Sequence, residues 1–293
     1  RVEARVSLFT TLWRIVAVAW IVEMTLFAMA IEAVRIRRLA CALAGKTWQP
    51  IPVARRLRYA FERLGPTYIK FGQMIASSDG LFPRALSEEF RHCLDQVPAF
   101  PSAVAQATIE RELGGPTETF FSRFDSIPIA AASIAQVHTA TLRTGEEIVL
   151  KIQRPGLLKR VSADVRIMRV FARLLERLSY RARMGNVAGI VDDFARTISE
   201  EVDFRLEGKN MERFNAIFVG RPGNRICAPR VYWDYTTRSV LTMERFYGCR
   251  VDDVERMQSL EDTESQLVDG VLAWFESILS VGFFHGDVHA GNL

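Results

Sequence analysis

The hydrophobic pattern of the chain changes period near residue 126. Before this point, apolar side chains recur at the spacing of amphipathic helices, as in "PVARRLRYAFERL". After it, "SIAQVHTATL" and "TGEEIVLKIQR" have the β-branched content and short length of strands, with a turn at Thr144 and Gly145. A long helical stretch over about 157–217 and a further strand, "SVLTMERF", follow. The pattern predicts an α+β fold with a helical region in front of the sheet.

Charged side chains occupy ordered positions along this pattern. Lys151 lies in the second strand, Glu207 in the helical stretch after it, and Asp287 and Asn292 in "HGDVHAGN". A strand lysine, a helix glutamate and a loop with Asp-x4-Asn follow one another in protein kinases. The order therefore predicts a protein-kinase-like fold.

Phosphoryl transfer requires each of these groups for a separate reason. A cation must hold the nucleotide phosphates, and Lys151 can do so if a helix carboxylate, for which Glu207 is the candidate, orients it. Asn292 offers an amide oxygen to a divalent metal ion, and Asp287 would accept a proton from the attacking hydroxyl group or orient that group. We therefore expect a site for ATP or ADP with Mg²⁺.

Turn and capping signals divide the helical region. Gly65 and Pro66 separate two helices, and the second carries "KFGQ", which runs from Lys70 to Gln73. A later amphipathic run, "SEEFRHCLDQV", starts at Ser87, which we interpret as an N-cap. The region is therefore expected to contain several short helices.

Residues 15–31, "IVAVAWIVEMTLFAMAI", form an apolar segment that contains Glu23. The segment is at the short limit for a spanning helix, and a carboxylate at a helix centre costs about 3 kcal/mol on insertion scales. The basic cluster Arg35, Arg37 and Arg38 that follows is unlike a secretory signal peptide. Two interpretations stay open: a helix that spans or dips into a membrane, and an apolar helix packed on its own domain or on a partner.

The composition excludes several classes of protein. The chain of 293 residues is 49% hydrophobic and 25% charged, as expected for a globular protein. Its formal net charge of +4 is spread along the sequence, so we expect no nucleic-acid partner. The four cysteines form no C-x-x-C pair, which argues against a zinc site or a disulfide framework and fits a reducing cytosol.

Four segments together resemble the motifs of a known family. "KFGQ", "AAASIAQVHTA", "EVDFRLEGKN" and "HGDVHAGN" closely resemble those of the UbiB family of atypical kinases, and the similarity runs from about residue 50 to the last residue. By this resemblance the KxGQ motif falls on Lys70, Gly72 and Gln73, and the ExD motif falls on Glu201 and Asp203. The family's alanine-rich loop, which replaces the glycine-rich phosphate loop of other kinases, corresponds to Ala130, Ala131, Ala132 and Ser133.

Alanine in place of glycine changes how such a loop can approach phosphate. Alanine lacks glycine's freedom to adopt positive φ, and its methyl group lies between backbone N–H groups and a phosphate. Nucleotide is therefore expected to sit differently here than under a glycine-rich loop. The alternative interpretation is that "AAAS" reflects only tight packing of a strand.

The UbiB resemblance implies further properties of fold and function. It implies an N-terminal helical extension over the active site, so that Lys70 and Gln73 enter the space where a protein substrate would bind. It implies isoprenoid-quinone biosynthesis, and ATP hydrolysis in preference to protein phosphorylation. The implied partners besides nucleotide are membrane lipid or a quinone precursor and other enzymes of quinone biosynthesis. We expect the protein at the cytoplasmic face of a membrane, held peripherally or by a single N-terminal segment, and otherwise in the cytoplasm.

These observations predict four segments. They are an apolar N-terminal segment over 1–46, a helical extension with KxGQ over 47–125, a kinase-like small lobe with inserted helices over 126–248, and the start of a large lobe over 249–293. Kinases also need a metal-binding aspartate in a DFG-type motif after the catalytic-loop asparagine, and the sequence ends before one. We therefore expect a truncated large lobe and a chain without turnover.

Several other residues have expected structural roles. Met243 and Glu244 fall where a hinge would present main-chain groups to adenine. His138 lies in a strand pattern and is interpreted as a structural histidine. His285 and His289 flank Asp287, and we interpret them as scaffolding of the loop and not as metal ligands.

Two other classes of function stay open. Aminoglycoside-phosphotransferase-like kinases carry a loop of the same type as "HGDVHAGN", although "KFGQ" and "AAAS" argue against a small-molecule kinase. A non-catalytic nucleotide-sensing scaffold, or a lipid-handling partner of other enzymes, is also compatible with the sequence. Pseudokinases can retain residues such as Lys151 and Asp287.

Overall fold

The computed structural model describes residues 8–33, 51–78, 80–93, 97–220, 226–249, 251, 253–259 and 262–284. The chain divides into two compact units. The first comprises 1–105, 128–136 and 153–202, and the second comprises 106–127, 137–152 and 203–293. The four segments expected from the sequence follow other boundaries and stay a prediction.

Helices and an antiparallel sheet together confirm the predicted α+β class. The described helices are α1 (Leu8–Ala33), α2 (Val53–Leu64), α3 (Pro66–Ser77), α4 (Arg84–Phe90), α5 (Ser102–Leu113), α6 (Thr117–Phe120), α7 (Leu157–Leu178), α8 (Tyr180–Met184), α9 (Val187–Glu201), α10 (Phe204–Phe218), α11 (Val254–Ser259) and α12 (Thr263–Glu276). A 3₁₀ turn covers Trp233–Tyr235, and a π-helical turn, Ser277–Val281, follows α12. The strands are β1 (Phe121–Phe124), β2 (Ala130–Ala131), β3 (Ala135–Leu142), β4 (Glu147–Gln153) and β5 (Val240–Glu244).

The boundary between α2 and α3 lies where the sequence predicts it. Helix α2 ends at Leu64, and α3 begins at Pro66, which has no N–H to leave unsatisfied in the first turn. The prediction for α4 was wrong, because this helix begins at Arg84 after Pro83 and contains Ser87 in its interior. Proline favours the start of a helix by its fixed φ, and here that signal outweighs the serine.

The described helices of the first unit pack around aromatic side chains. Phe61 of α2 contacts Phe90 of α4 edge-on, with ring centroids 4.9 Å apart. Phe71 of α3 contacts Phe194 of α9 at 5.0 Å, which joins the KxGQ helix to the helix that ends in Glu201. Helix α1 packs on α2 and α7. Its residues Thr11–Ile31 form a stretch long and apolar enough to cross a membrane.

The sheet has the strand order β1-β3-β4-β5, with β2 paired to β3. Strands β1 and β3 are antiparallel, as are β4 and β5, in which Lys151 lies opposite Leu241. The turn between β3 and β4 contains Gly145 at φ +102°, a conformation that side chains with a Cβ rarely adopt. The predicted turn is therefore confirmed.

Candidate functional site

Lys151 and Glu207 lie together in the second unit. The Lys151 ammonium donates to both carboxylate oxygens of Glu207, each at 2.8 Å. The side chains are 24% and 34% exposed, so the pair is accessible to a ligand. An ammonium group carries three donors, and the carboxylate takes two of them. The remaining donor and the positive charge fit a phosphate group.

Two neighbours that the sequence analysis did not single out help to orient this pair. The Lys151 ammonium lies over the ring of fully buried Phe204, 5.0 Å from its centroid. Gly208 follows Glu207 in α10 and lies against β5, where a Cβ would meet Trp233 at 3.1 Å and Leu241 at 3.5 Å. The missing side chain therefore lets α10 approach the strand closely. In the sequence, an isolated glycine inside a helical pattern was the feature that could have indicated this close packing of Gly208.

Asp203 caps the helix that carries Glu207. Its Oδ1 accepts a hydrogen bond from the backbone N–H of Arg205 at 3.3 Å, which satisfies a free donor at the start of α10. Its carboxylate also pairs with the Arg205 guanidinium at 2.7 Å and lies 3.8 Å from that of Arg238. The hydrogen bonds from Arg205 are the main reason that the pKa of Asp203 is lowered. Asp203 is therefore ionised at neutral pH and supports the first turn of α10.

Lys70 and Glu201 form an ion pair in the first unit. The Lys70 ammonium lies 2.9 Å from Glu201 Oε2, and the side chains are 26% and 35% exposed. Lys70 therefore meets the first acidic residue of the ExD segment, while Asp203 has the arginine partners described above. Half-buried Gln73 lies on the same helix, α3.

Gly72 has a packing role within the KxGQ segment. A Cβ at this position would lie 2.5 Å from a ring carbon of Phe90 and 3.2 Å from the sulfur of Cys93. Real Cβ contacts are not this short, so only glycine allows α3 to approach α4 as it does. The glycine therefore fixes the position of the helix that carries Lys70.

Gln153 holds the chain between the two acidic residues of the ExD segment. Its side-chain amide, in the buried end of β4, donates to the carbonyl oxygen of Val202 at 2.9 Å. Val202 lies between Glu201 and Asp203 in the sequence. The sequence pointed to this role of Gln153 only by its position two residues after Lys151 in "LKIQR". The sequence-based prediction did not include Gln153.

The alanine-rich loop forms a tight turn in the first unit. The N–H of Ala132 donates to the carbonyl oxygen of Ala135 at 2.8 Å. Ala130 and Ala132 are exposed, Ala131 is half-buried and Ser133 is buried. Two of the three alanines are therefore accessible to solvent. The role of the loop in binding stays a prediction.

Met243 and Glu244 lie within β5. Met243 is opposite Val149 of β4 and also forms a bridge with Val231. The N–H of Glu244 already donates to the carbonyl oxygen of Arg230 at 2.9 Å. The hinge role expected for Met243 and Glu244 stays a prediction.

His138 is a buried residue of the second unit. Its Nδ1 lies 2.8 Å from the carbonyl oxygen of Asp125, and its ring stacks on Phe124 at 5.1 Å. Burial lowers the pKa of the imidazole, so the ring is neutral at physiological pH. These contacts match the structural role expected for this histidine.

The predicted catalytic loop lies outside the described residues. This applies to Asp287 and Asn292 and to the two flanking histidines, His285 and His289. Within the described ranges, no group of three or more His, Cys, Asp or Glu side chains is arranged to hold a metal ion. The predicted Mg²⁺ ligand, Asn292, therefore stays a prediction from the sequence.

The lysine-glutamate pair on an antiparallel sheet and its adjoining helix is the arrangement of a kinase-like small lobe. The family model described as "ABC1 atypical kinase-like domain" matches residues 92–293. The chain therefore belongs to the ABC1 atypical kinase-like family, and the predicted UbiB resemblance is confirmed by the relatives that carry this name.

Three relatives are similar to this chain over most of its length. The chain is 46% identical over 248 residues to the uncharacterized protein Rv0647c of Mycobacterium tuberculosis, covering 84% of this chain and 50% of that protein. It is 42% identical over 241 residues to an aarF domain-containing protein kinase of Arabidopsis thaliana, named as chloroplastic, covering 81% and 44%. It is 40% identical over 244 residues to the probable protein kinase UbiB of Azotobacter vinelandii, covering 83% and 45%.

A solved structure supports the kinase-like fold. The complex of Rv3197 with erythromycin from Mycobacterium tuberculosis matches with a TM-score of 0.56 and 28% identity, over 76% of this chain and 55% of that chain. The present chain spans about half the length of the curated relatives that it matches.

Proposed function

We propose that the protein binds ATP or ADP with Mg²⁺ and acts as an atypical kinase or ATPase of the UbiB type. The observation that carries this proposal is the bidentate contact of Lys151 with Glu207 in a chain of the ABC1 family. A lysine held in this way presents a fixed positive charge to nucleotide phosphates. The exposed fraction of both side chains supports access of nucleotide to this charge.

Each residue of the proposed site has one task. Lys151 would bind the phosphates, and Glu207 would orient Lys151. Asp287 would orient the attacking hydroxyl group or water molecule and accept its proton. Asn292 would contribute an amide oxygen to Mg²⁺, which neutralises charge between the β- and γ-phosphates.

Three further assignments belong to the same proposal. The alanine-rich loop over 130–133 would cover the nucleotide phosphates, and the main chain at Met243 and Glu244 would contact adenine. The KxGQ and ExD segments would restrict transfer to protein substrates and favour ATP hydrolysis. The short contact between Lys70 and Glu201 supports a joint role of these two segments.

The proposed biological role is support of isoprenoid-quinone biosynthesis, ubiquinone or menaquinone, or lipid handling at a membrane. The UbiB name of several relatives supports this assignment. The proposed location is the cytoplasmic face of a membrane. Helix α1 supports contact with a membrane, because its apolar stretch is exposed and long enough to cross a bilayer. Membrane lipid, a quinone precursor and other enzymes of quinone biosynthesis would be the partners.

Nucleotide titration tests the proposal. In the full natural protein, Lys151→Ala should weaken Mg-nucleotide binding by about 1–3 kcal/mol, the scale of a charge-assisted contact. Lys159→Ala removes an exposed lysine of α7 and serves as the control with an equal change in charge. Isothermal titration calorimetry with ADP and Mg²⁺ measures both variants against wild type.

Equal affinity of Lys151→Ala and wild type would refute the assignment of Lys151 to the phosphates. Turnover by the wild type, measured with and without lipid vesicles, separates the remaining alternatives. A small-molecule kinase should transfer phosphate to an added acceptor, and a non-catalytic scaffold should bind nucleotide without hydrolysing it.

A further inference from the structure

Arg154 binds three carbonyl oxygens from two separate segments of the first unit. Its Nε donates to Ala132 of the alanine-rich loop at 3.0 Å. Its Nη2 donates to Val97 at 3.2 Å and to Pro98 at 2.9 Å. The guanidinium also lies over the ring of Phe100, 5.6 Å from its centroid. One side chain therefore bridges the loop and the segment 97–100.

Two further hydrogen bonds to main-chain groups hold the chain next to the alanine-rich loop. The N–H of Arg154 donates to the carbonyl oxygen of Ile134 at 2.9 Å. The side-chain oxygen of buried Gln136 accepts the N–H of Phe100 at 3.1 Å. The chain just after the alanine turn is thereby linked to the residue that follows β4 and to the segment 97–100.

The guanidinium of Arg154 is committed to these carbonyl groups. A carbonyl oxygen is a neutral acceptor, and three of them use the planar fork of donors that distinguishes arginine from lysine. The described structure pairs no carboxylate with this side chain, although burial lowers the pKa of Arg154. This pattern is that of a group that fixes backbone geometry and not of a group that binds a ligand anion.

We propose that Arg154 is a positioning residue that holds the alanine-rich loop, residues 130–133, in its conformation by tying Ala132 to Val97 and Pro98. Alanine loops have less backbone freedom than glycine loops, so one fixed hydrogen bond constrains the whole turn. For the effect on nucleotide, the inference rests on the proposed function, in which this loop covers the phosphates. Loss of Arg154 would leave Lys151 and Glu207 in place but release the loop.

Two measurements on the full natural protein test this inference. The first is hydrogen exchange at the Ala132 amide without nucleotide, and the second is the dissociation constant for Mg-ADP. The variants are Arg154→Met and Arg154→Lys, and the control is Arg173→Met, which removes an exposed arginine of α7. Arg154→Lys keeps the charge and the aliphatic stem, so it replaces Arg154→Met in both measurements if Arg154→Met does not fold.

Arg154→Met should speed exchange at Ala132 and weaken Mg-ADP binding by about threefold to thirtyfold, the range for changes outside a ligand's contacts. Arg154→Lys should show most of both effects, because an ammonium cannot reproduce the planar fork. The control should match wild type in both measurements.

The outcomes separate this inference from the proposed function. Unchanged exchange at Ala132 in a folded Arg154 variant would overturn the positioning role. Faster exchange with unchanged Mg-ADP affinity would overturn the link between the loop and nucleotide. A wild type that binds no nucleotide would refute the proposed function, while the exchange measurement would still decide whether Arg154 holds the loop.

Discussion

Individual charged residues of this chain have specific partners that set their roles. Lys151 has Glu207, Lys70 has Glu201, and Asp203 has the arginine side chains around the start of α10. Half-exposed ion pairs of this kind add little to stability, typically about 0–1 kcal/mol. Their contribution is therefore mainly to the orientation of the side chains.

Asp203 should give a pH-dependent contribution to stability. Asp203→Asn keeps a capping acceptor but removes the charge, so at pH 7 it should destabilise the protein by about 1 kcal/mol. Hydrogen bonds from Arg205 lower the pKa of Asp203 in the folded protein. The charge of Asp203 therefore stabilises the fold above the pKa that an aspartate has in the unfolded chain, about 4. This stabilisation is lost as the pH falls through the pKa of Asp203 in the folded protein. Urea denaturation of both proteins between pH 3 and pH 7 measures the difference.

The control for this prediction is Glu118→Gln, which neutralises an exposed carboxylate in the first turn of α6. A stability gap between wild type and Asp203→Asn that stays constant down to pH 3 would contradict the role of the charge. A gap that shrinks below about pH 4 agrees with it.

At the scale of elements, α1 is attached to the first unit by a buried ion pair. Arg14 donates to Asp164 of α7, with Nη2 to Oδ2 at 3.0 Å, and also to the carbonyl oxygen of Leu64. Asp164 is fully buried, and the guanidinium of Arg14 lies 5.9 Å from the ring centroid of Tyr68. A polar anchor therefore holds a helix whose other side chains are mostly apolar.

Removing one member of this pair should be strongly destabilising. Arg14→Ala leaves a buried carboxylate without its cation, and such changes cost about 3–5 kcal/mol. The double variant Arg14→Met with Asp164→Leu should recover most of this loss, because neither buried charge remains. Guanidinium chloride denaturation in mild detergent measures both.

Arg166→Ala, at an exposed position of α7, is the matched control and should be close to neutral. A double variant no more stable than Arg14→Ala would show that the anchor contributes through specific geometry and not through charge compensation.

At the scale of the whole molecule, several helices expose large apolar side chains. On α12 and the turn after it these are Leu267, Val268, Val271, Leu272, Phe275 and Leu279, and on α1 they include Leu12, Trp13, Val16, Trp20, Leu26 and Phe27. Full burial of one such side chain is worth about 1.5–3 kcal/mol. Surfaces of this kind promote association in water.

The chain of residues 1–293, purified without detergent, should therefore form assemblies larger than a monomer. Size-exclusion chromatography with light scattering measures the mass, and detergent should shift the protein toward the monomer. Replacing exposed Leu272 and Leu279 by lysine should reduce association, whereas Lys159→Ala should not. A monodisperse monomer in plain buffer would contradict this prediction, and a coupled ATPase assay on the same sample tests the expected lack of turnover.

Much of the architecture was predictable from sequence because it depends on neighbours along the chain. The α+β class, the Gly145 turn and the break before Pro66 follow from local periodicity and backbone preferences. The start of α4 was wrong because two local signals, Pro83 and Ser87, competed within a few residues. The catalytic roles expected for Asp287 and Asn292 in "HGDVHAGN" rest on the sequence alone and stay a prediction.

Tertiary structure alone decided which of these groups meet. The sequence named both Glu201 and Asp203, but only the fold pairs Glu201 with Lys70 and uses Asp203 as a helix cap. The fold alone also brings Gly208 against β5. It likewise places Arg154 within hydrogen-bond distance of carbonyl groups from two segments. Motifs specify residue types at short spacing, whereas hydrogen bonds and close contacts depend on distances between segments far apart in the chain. Those distances are set by packing, and no local pattern encodes them.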